Sequence, residues 1–121
     1  MTKEQALDNF WRSFGMTAYD ETNVPEDAPF PRLTYEVALD NFGGEVALTA
    51  TLWYYSTTWK DISEKAQEIA DDITRGGKII ATDGGAIWIK RGNPFAQRMP
   101  DNNDSLRRIV LNITAEYLTS N

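Results

Sequence analysis

The chain reads as an α+β fold: a mainly antiparallel sheet with two helices packed on one face, in the order α-β-β-α-β-β-β. Three observations predict it. Two segments repeat apolar residues at helical spacing, several others alternate apolar and polar residues, and glycine-rich links join the alternating segments into hairpins. At 121 residues, with 41% hydrophobic and 25% charged side chains, the chain is expected to form one domain over residues 1–121.

The first helix is expected over residues 2–14. Thr2 and Gln5 stand at capping-box spacing, Ala6, Leu7, Phe10, Trp11 and Phe14 form the apolar stripe, and Gly15 follows as a C-cap. Residues 16–32 hold three of the five prolines and read as irregular. A strand over residues 33–41 puts Leu33, Tyr35, Val37 and Leu39 on one face. Gly43 and Gly44 turn the chain into a second strand, where Val46, Leu48, Ala50, Leu52 and Tyr54 alternate with Ala47, Thr49, Thr51, Trp53 and Tyr55.

The second helix is expected over residues 59–75, capped by Thr58 with Asp61 and ended by Gly76 and Gly77. Its stripe is Ile62, Ala66, Ile69, Ala70 and Ile73. A second hairpin joins residues 78–82 to 86–90 through Asp83-Gly84-Gly85. A polar loop then leads to a last strand over residues 107–117, with Ile109, Leu111, Ile113, Ala115 and Tyr117 on one face.

Charge and composition remove several function classes. The net charge is −6, and residues 1–60 hold four basic and nine acidic side chains against eight and nine in the remainder. That balance opposes nucleic-acid binding, which needs a basic patch. Without histidine or cysteine there is no Ser-His-Asp arrangement, no thiol nucleophile and no thiolate zinc site. No apolar run reaches the roughly 20 residues of a membrane span, and the start lacks a signal-peptide pattern. A soluble cytosolic domain is the expectation.

Local motifs fail on geometry. Asp71 and Asp72 are adjacent on a helix and diverge by about 100°. Asp83-Gly84-Gly85 has no following Lys-Ser/Thr and opens no helix, so it is no phosphate loop. Residues 101–104 are rich in oxygen ligands but miss the order of a calcium loop. We expect no catalytic residue, no cofactor and no metal: the chain is not read as an enzyme.

Fourteen of the residues are aromatic, more than one small core has to absorb. Phe10, Trp11, Phe14 and Tyr35 suit the core; Trp53, Tyr55, Trp88 and Phe95 fit either packing or an interface. Two charged runs stand beside them. Asp20, Glu21, Glu26 and Asp27 have no basic neighbour in sequence, and Lys90, Arg91 and Arg98 have no acidic one. Each run alone suits a solvated loop, while their opposite signs suit an intermolecular pairing. Glu26, Asp27, Trp53, Tyr55, Arg91, Phe95 and Arg98 are therefore the subunit-interface candidates.

The text Pro31-Arg32-Leu33-Thr34-Tyr35, the run from Leu48 to Trp59 and the helix start Asp61-Ile62-Ser63-Glu64-Lys65-Ala66 carry a family likeness. In this order they resemble the tail-completion (tail-terminator) proteins of long-tailed, siphovirus-type phages and prophages. The resemblance implies a virion structural protein of the tail, assembled in the host cytoplasm. It implies a homo-oligomer, usually a hexameric ring, that caps the tail tube and offers the head-joining surface. Tail tube protein and head-tail connector proteins would be its partners, with no membrane and with DNA only as passing cargo. The residues leave open another head-tail adaptor or minor tail component, and a small α+β binding module unrelated to phage.

Overall fold

A computed structural model describes residues 1–119 of the chain. Two helices, α1 (Lys3–Arg12) and α2 (Lys60–Ile73), accompany six strands: β1 (Thr17–Asp20), β2 (Arg32–Tyr35), β3 (Glu45–Tyr55), β4 (Lys78–Thr82), β5 (Gly85–Met99) and β6 (Leu106–Leu118). They form one sheet in the order β1-β2-β3-β6-β5-β4. Every pairing is antiparallel except β1 with β2.

The element order is thus α-β-β-β-α-β-β-β, one strand longer than the sequence pattern suggests. The added strand, β1, lies inside the segment read as irregular. It is four residues long and owes its conformation to a parallel neighbour across the intervening residues 21–31, which periodicity cannot register. The strand expected over residues 33–41 is also shorter. Pairing with β3 ends at Tyr35, after which the Glu36 N–H still donates to Thr49 at 2.9 Å.

Alternation along the strands decides where the core sits. Leu33 and Tyr35, Leu48, Ala50 and Leu52, Ile87 and Ile89, and Ile109 to Tyr117 at every second position are all buried. Strand register places them on one face, since Leu48 stands opposite Ile113, Ala50 opposite Leu111 and Leu52 opposite Ile109. Both helices cover that face. α2 presents Ile62, Ala66, Ile69 and Ile73 to β3, β5 and β6. α1 presents Leu7, Phe10 and Trp11, and it touches β1 and β4, the two outermost strands. The sheet therefore curls around α1, and one hydrophobic cluster joins both helices to the sheet.

Local chemistry sets the element ends. Thr2 and Gln5 form a complete capping box at α1. The cap expected at Thr58 does not form: α2 begins after Trp59 with no side-chain cap, and the Thr58 N–H donates to Ser56 Oγ at 3.1 Å instead. Gly77, the residue before β4, has a positive φ of 87°, and a Cβ there would meet the Ile89 carbonyl at 2.7 Å. Glycine satisfies both demands.

The link between β2 and β3 is fastened from beneath. Tyr117 Oη donates to the Ala38 carbonyl at 2.6 Å, and Lys3 Nζ donates to the Asp40 carbonyl at 2.7 Å. Burial, with the Asp40 charge adding, pushes the Tyr117 hydroxyl up from 10.0 to about 12. The folded state thus holds this proton more tightly than the unfolded chain. Its stabilising contribution is complete below pH 10 and is lost as pH rises towards about 12. Denaturant melts across that window are expected to show falling stability, with a shallower fall in Tyr117→Phe. An equal slope in that variant would place the alkaline sensitivity elsewhere.

Candidate assembly surface

Among the described residues no helix covers the second face of the sheet, which carries Thr34, Thr51, Trp53, Tyr55 and Arg108 beside Val110, Asn112 and Glu116. One rung crosses it at the end of β3: Thr17, Arg32, Trp53, Arg108 and Met99 stand side by side on five strands. The Trp53 ring lies between two guanidinium groups, Arg32 at 5.6 Å and Arg108 at 5.2 Å from its centroid. Its Nε1–H donates to Thr34 Oγ1 at 2.9 Å. Arg32 also lies 4.4 Å from the Phe30 ring, and Phe30 leans against Tyr55 at 5.9 Å. On the helix side of the same end, Arg98 and Arg107 approach Trp59 at 4.7 and 5.2 Å.

Four arginines thus gather at one end of a chain with net charge −6, each against an aromatic face. Asp101 reaches within 3.2 Å of Arg108 Nε, although the angle is too poor for a hydrogen bond. The Nε atoms of Arg32 and Arg107 are buried without an acceptor among the described residues. Stacking on the rings offsets part of that desolvation. Of this cluster, Phe30, Arg32, Trp59, Arg107 and Arg108 are not among the interface candidates that the sequence suggests. The signal is absent from local spacing, because the cluster arises only when register sets β2, β3 and β6 side by side.

The interface candidates fall into three places. Glu26 and Asp27 are exposed in the loop of residues 21–31, which leaves the end of β1 and returns to the start of β2, and neither forms an ion pair within the described chain. Asp20, at its base, accepts from the Thr22 N–H and hydroxyl at 2.9 and 2.8 Å, which holds its carboxyl below the usual value. Trp53 and Tyr55 lie on the uncovered face, Trp53 half-buried in its own arginine stack and Tyr55 65% exposed. Arg91, Phe95 and Arg98 belong to β5, where the polar loop expected after residue 90 is strand instead. The strand accommodates Gly92 to Phe95 as an irregularity between Arg91 and Ala96, tied down by Asn112 Nδ2 donating to the Pro94 carbonyl at 3.1 Å.

Phe95 packs against the core and lines a cleft of about 230 Å³ with Ala66, Ala70, Ala96, Arg98 and Ile109, between α2 and β5. Lys90 differs from its basic neighbours. It is bound within the chain by Glu116 at 3.1 Å and Glu45 at 3.4 Å, contacts that raise its pKa. Arg91 and Arg98 carry the charge left over. The acidic loop lies at the β1 edge, and the two arginines lie on the β5 side, at the far end of the strand order. Within one chain they do not meet.

Among the described residues no three His, Cys, Asp or Glu side chains come together as a metal site, and no helix is long and apolar enough to cross a membrane.

No family model matches the chain, and no curated protein matches it. Among solved structures, the chain is similar in fold to one from the virion of a native gene transfer agent particle. The TM-score is 0.61 at 16% identity, over 94% of this chain and 92% of the other. At that identity the likeness is one of fold, and it extends over nearly the whole of both chains.

Proposed function

We propose that the protein is a structural component of a phage-type virion, and within it the tail-completion protein that closes the end of the tail tube. The observation that carries this reading is the end-to-end fold likeness to a chain of a virion particle. The proline-led β2 text and the run from Leu48 to Trp59 refine it towards the tail terminator. The role is structural rather than catalytic: a surface of stacked arginines and aromatics serves contact with other proteins.

In this proposal the subunits form a ring, six being the number the family resemblance implies. A ring needs two different patches, one meeting the other on the next subunit. The acidic loop at the β1 edge and the arginines on the β5 side supply patches of opposite sign at opposite edges. The ring would seat on tail tube protein and face the connector, with an acidic balance that keeps passing DNA from adhering.

The test combines light scattering on the purified chain with tail-tube polymerisation in its presence. Tubes of limited length capped by the protein are the expected result, and tubes that elongate unchanged would remove the terminator role. The same fold likeness also supports another neck or tail component. A protein that binds connector assemblies but leaves tube growth untouched would favour that second reading.

A further inference from the structure

The two edges of the sheet match each other in a way that one subunit cannot use. At one edge β1 pairs only with β2, so among the described residues the outward backbone of Thr17–Asp20 has no partner strand. At the other, β4 covers only residues 85–89 of β5, and residues 96–99 have β6 on one side and, among the described residues, no strand on the other. An open edge of this kind is a template for another strand.

The open stretches span the same rungs. Thr17 is level with Arg32, Trp53, Arg108 and Met99; Asp20 is level with Tyr35, Ala50, Leu111 and Ala96. Their directions are opposite, because β1 runs with β2, against β3, with β6 and against β5. A second copy rotated about an axis along the strands, without any shift, would set them antiparallel with Thr17 opposite Met99 and Asp20 opposite Ala96. Zero shift is the condition for a closed ring; any rise gives an open filament.

The geometry points to a seam in which β1 of one subunit adds to residues 96–99 of β5 of the next, continuing the sheet from copy to copy. This rests on the ring proposed above for its zero shift. Side chains suit the pairing. Ala18 comes opposite Arg98 and leaves room for its long side chain, while Tyr19 meets Gln97 on the uncovered face. Glu21, just past Asp20, enters the neighbourhood of Arg91 beyond the irregularity. Main-chain hydrogen bonds would supply affinity and the charges would fix register.

The chain contains no cysteine, so single-cysteine variants report contacts without background. Two mixtures test the seam: Thr17→Cys with Met99→Cys, and Tyr19→Cys with Gln97→Cys. Directly opposite residues on one face lie roughly 4.5–5.5 Å apart at Cβ, within reach of a disulfide after small adjustment. Tyr19→Cys mixed with Thr114→Cys, on the same face but inside the sheet, is the control. Oxidised mixtures run without reductant are expected to show at least tenfold more cross-linked dimer than the control. Assemblies detected by light scattering with neither pair cross-linking above control would overturn the seam and leave the ring standing. A monomer throughout, with tail tube added as well, would overturn both.

Discussion

Replacing Ile69 with alanine is expected to lower the unfolding free energy by about 2–5 kcal/mol. Ile69 has no exposed surface and sits mid-way along the α2 stripe that faces β3, β5 and β6. Losing three methyl or methylene groups there removes transfer energy and opens a cavity that close packing on both sides keeps from collapsing. Urea melts should show a lower midpoint with an unchanged slope. Glu64→Ala, exposed on the same helix, is the matched control and should stay within about 0.5 kcal/mol of the parent. A loss no larger than the control's would mean that α2 does not pack through this stripe.

Reversing Arg91 and Arg98 to glutamate together is expected to weaken self-assembly on the order of a hundredfold. Each exposed ion pair contributes only about 0–1 kcal/mol. Like charges forced together cost several kcal/mol, and about 1.4 kcal/mol is tenfold in affinity. Both arginines are free of ion pairs within the described chain, so reversal removes no internal salt bridge. Arg98 does leave its place beside Trp59. A thermal melt therefore accompanies the assembly measurement, to separate lost folding from lost contact. Adding Glu26→Lys and Asp27→Lys should restore part of the assembly, and the difference between variants should shrink as salt rises. If the combined reversal assembles no better than the arginine reversal alone, the acidic loop and the β5 arginines are not neighbours across the seam.

Lys90 shows why charge runs in a sequence are incomplete guides. By spacing it belongs with Arg91 and Arg98; by register it stands opposite Thr114 on β6 and reaches diagonally to Glu116, which neutralises it there. The arginine–aromatic end has the same origin. Arg32, Trp53 and Arg108 are far apart along the chain and adjacent on a rung, so only strand pairing brings the guanidiniums onto the indole.

The sequence by itself determined the α+β class, both helices with their buried stripes, the 78–90 hairpin and the inward face of the last strand. Each of these is written in a period of 3.6 or 2 over enough residues to be unambiguous, because burial of one side of a regular element imposes that period. Only the tertiary structure decided the rest. β1 is too short to carry a period and is held by a parallel neighbour. β5 continues through Gly92 and Pro94, residues that break strands locally, because β6 supplies partners on both sides of the irregularity. The level, opposed free edges are likewise properties of register, which depends on pairs of residues distant in the chain.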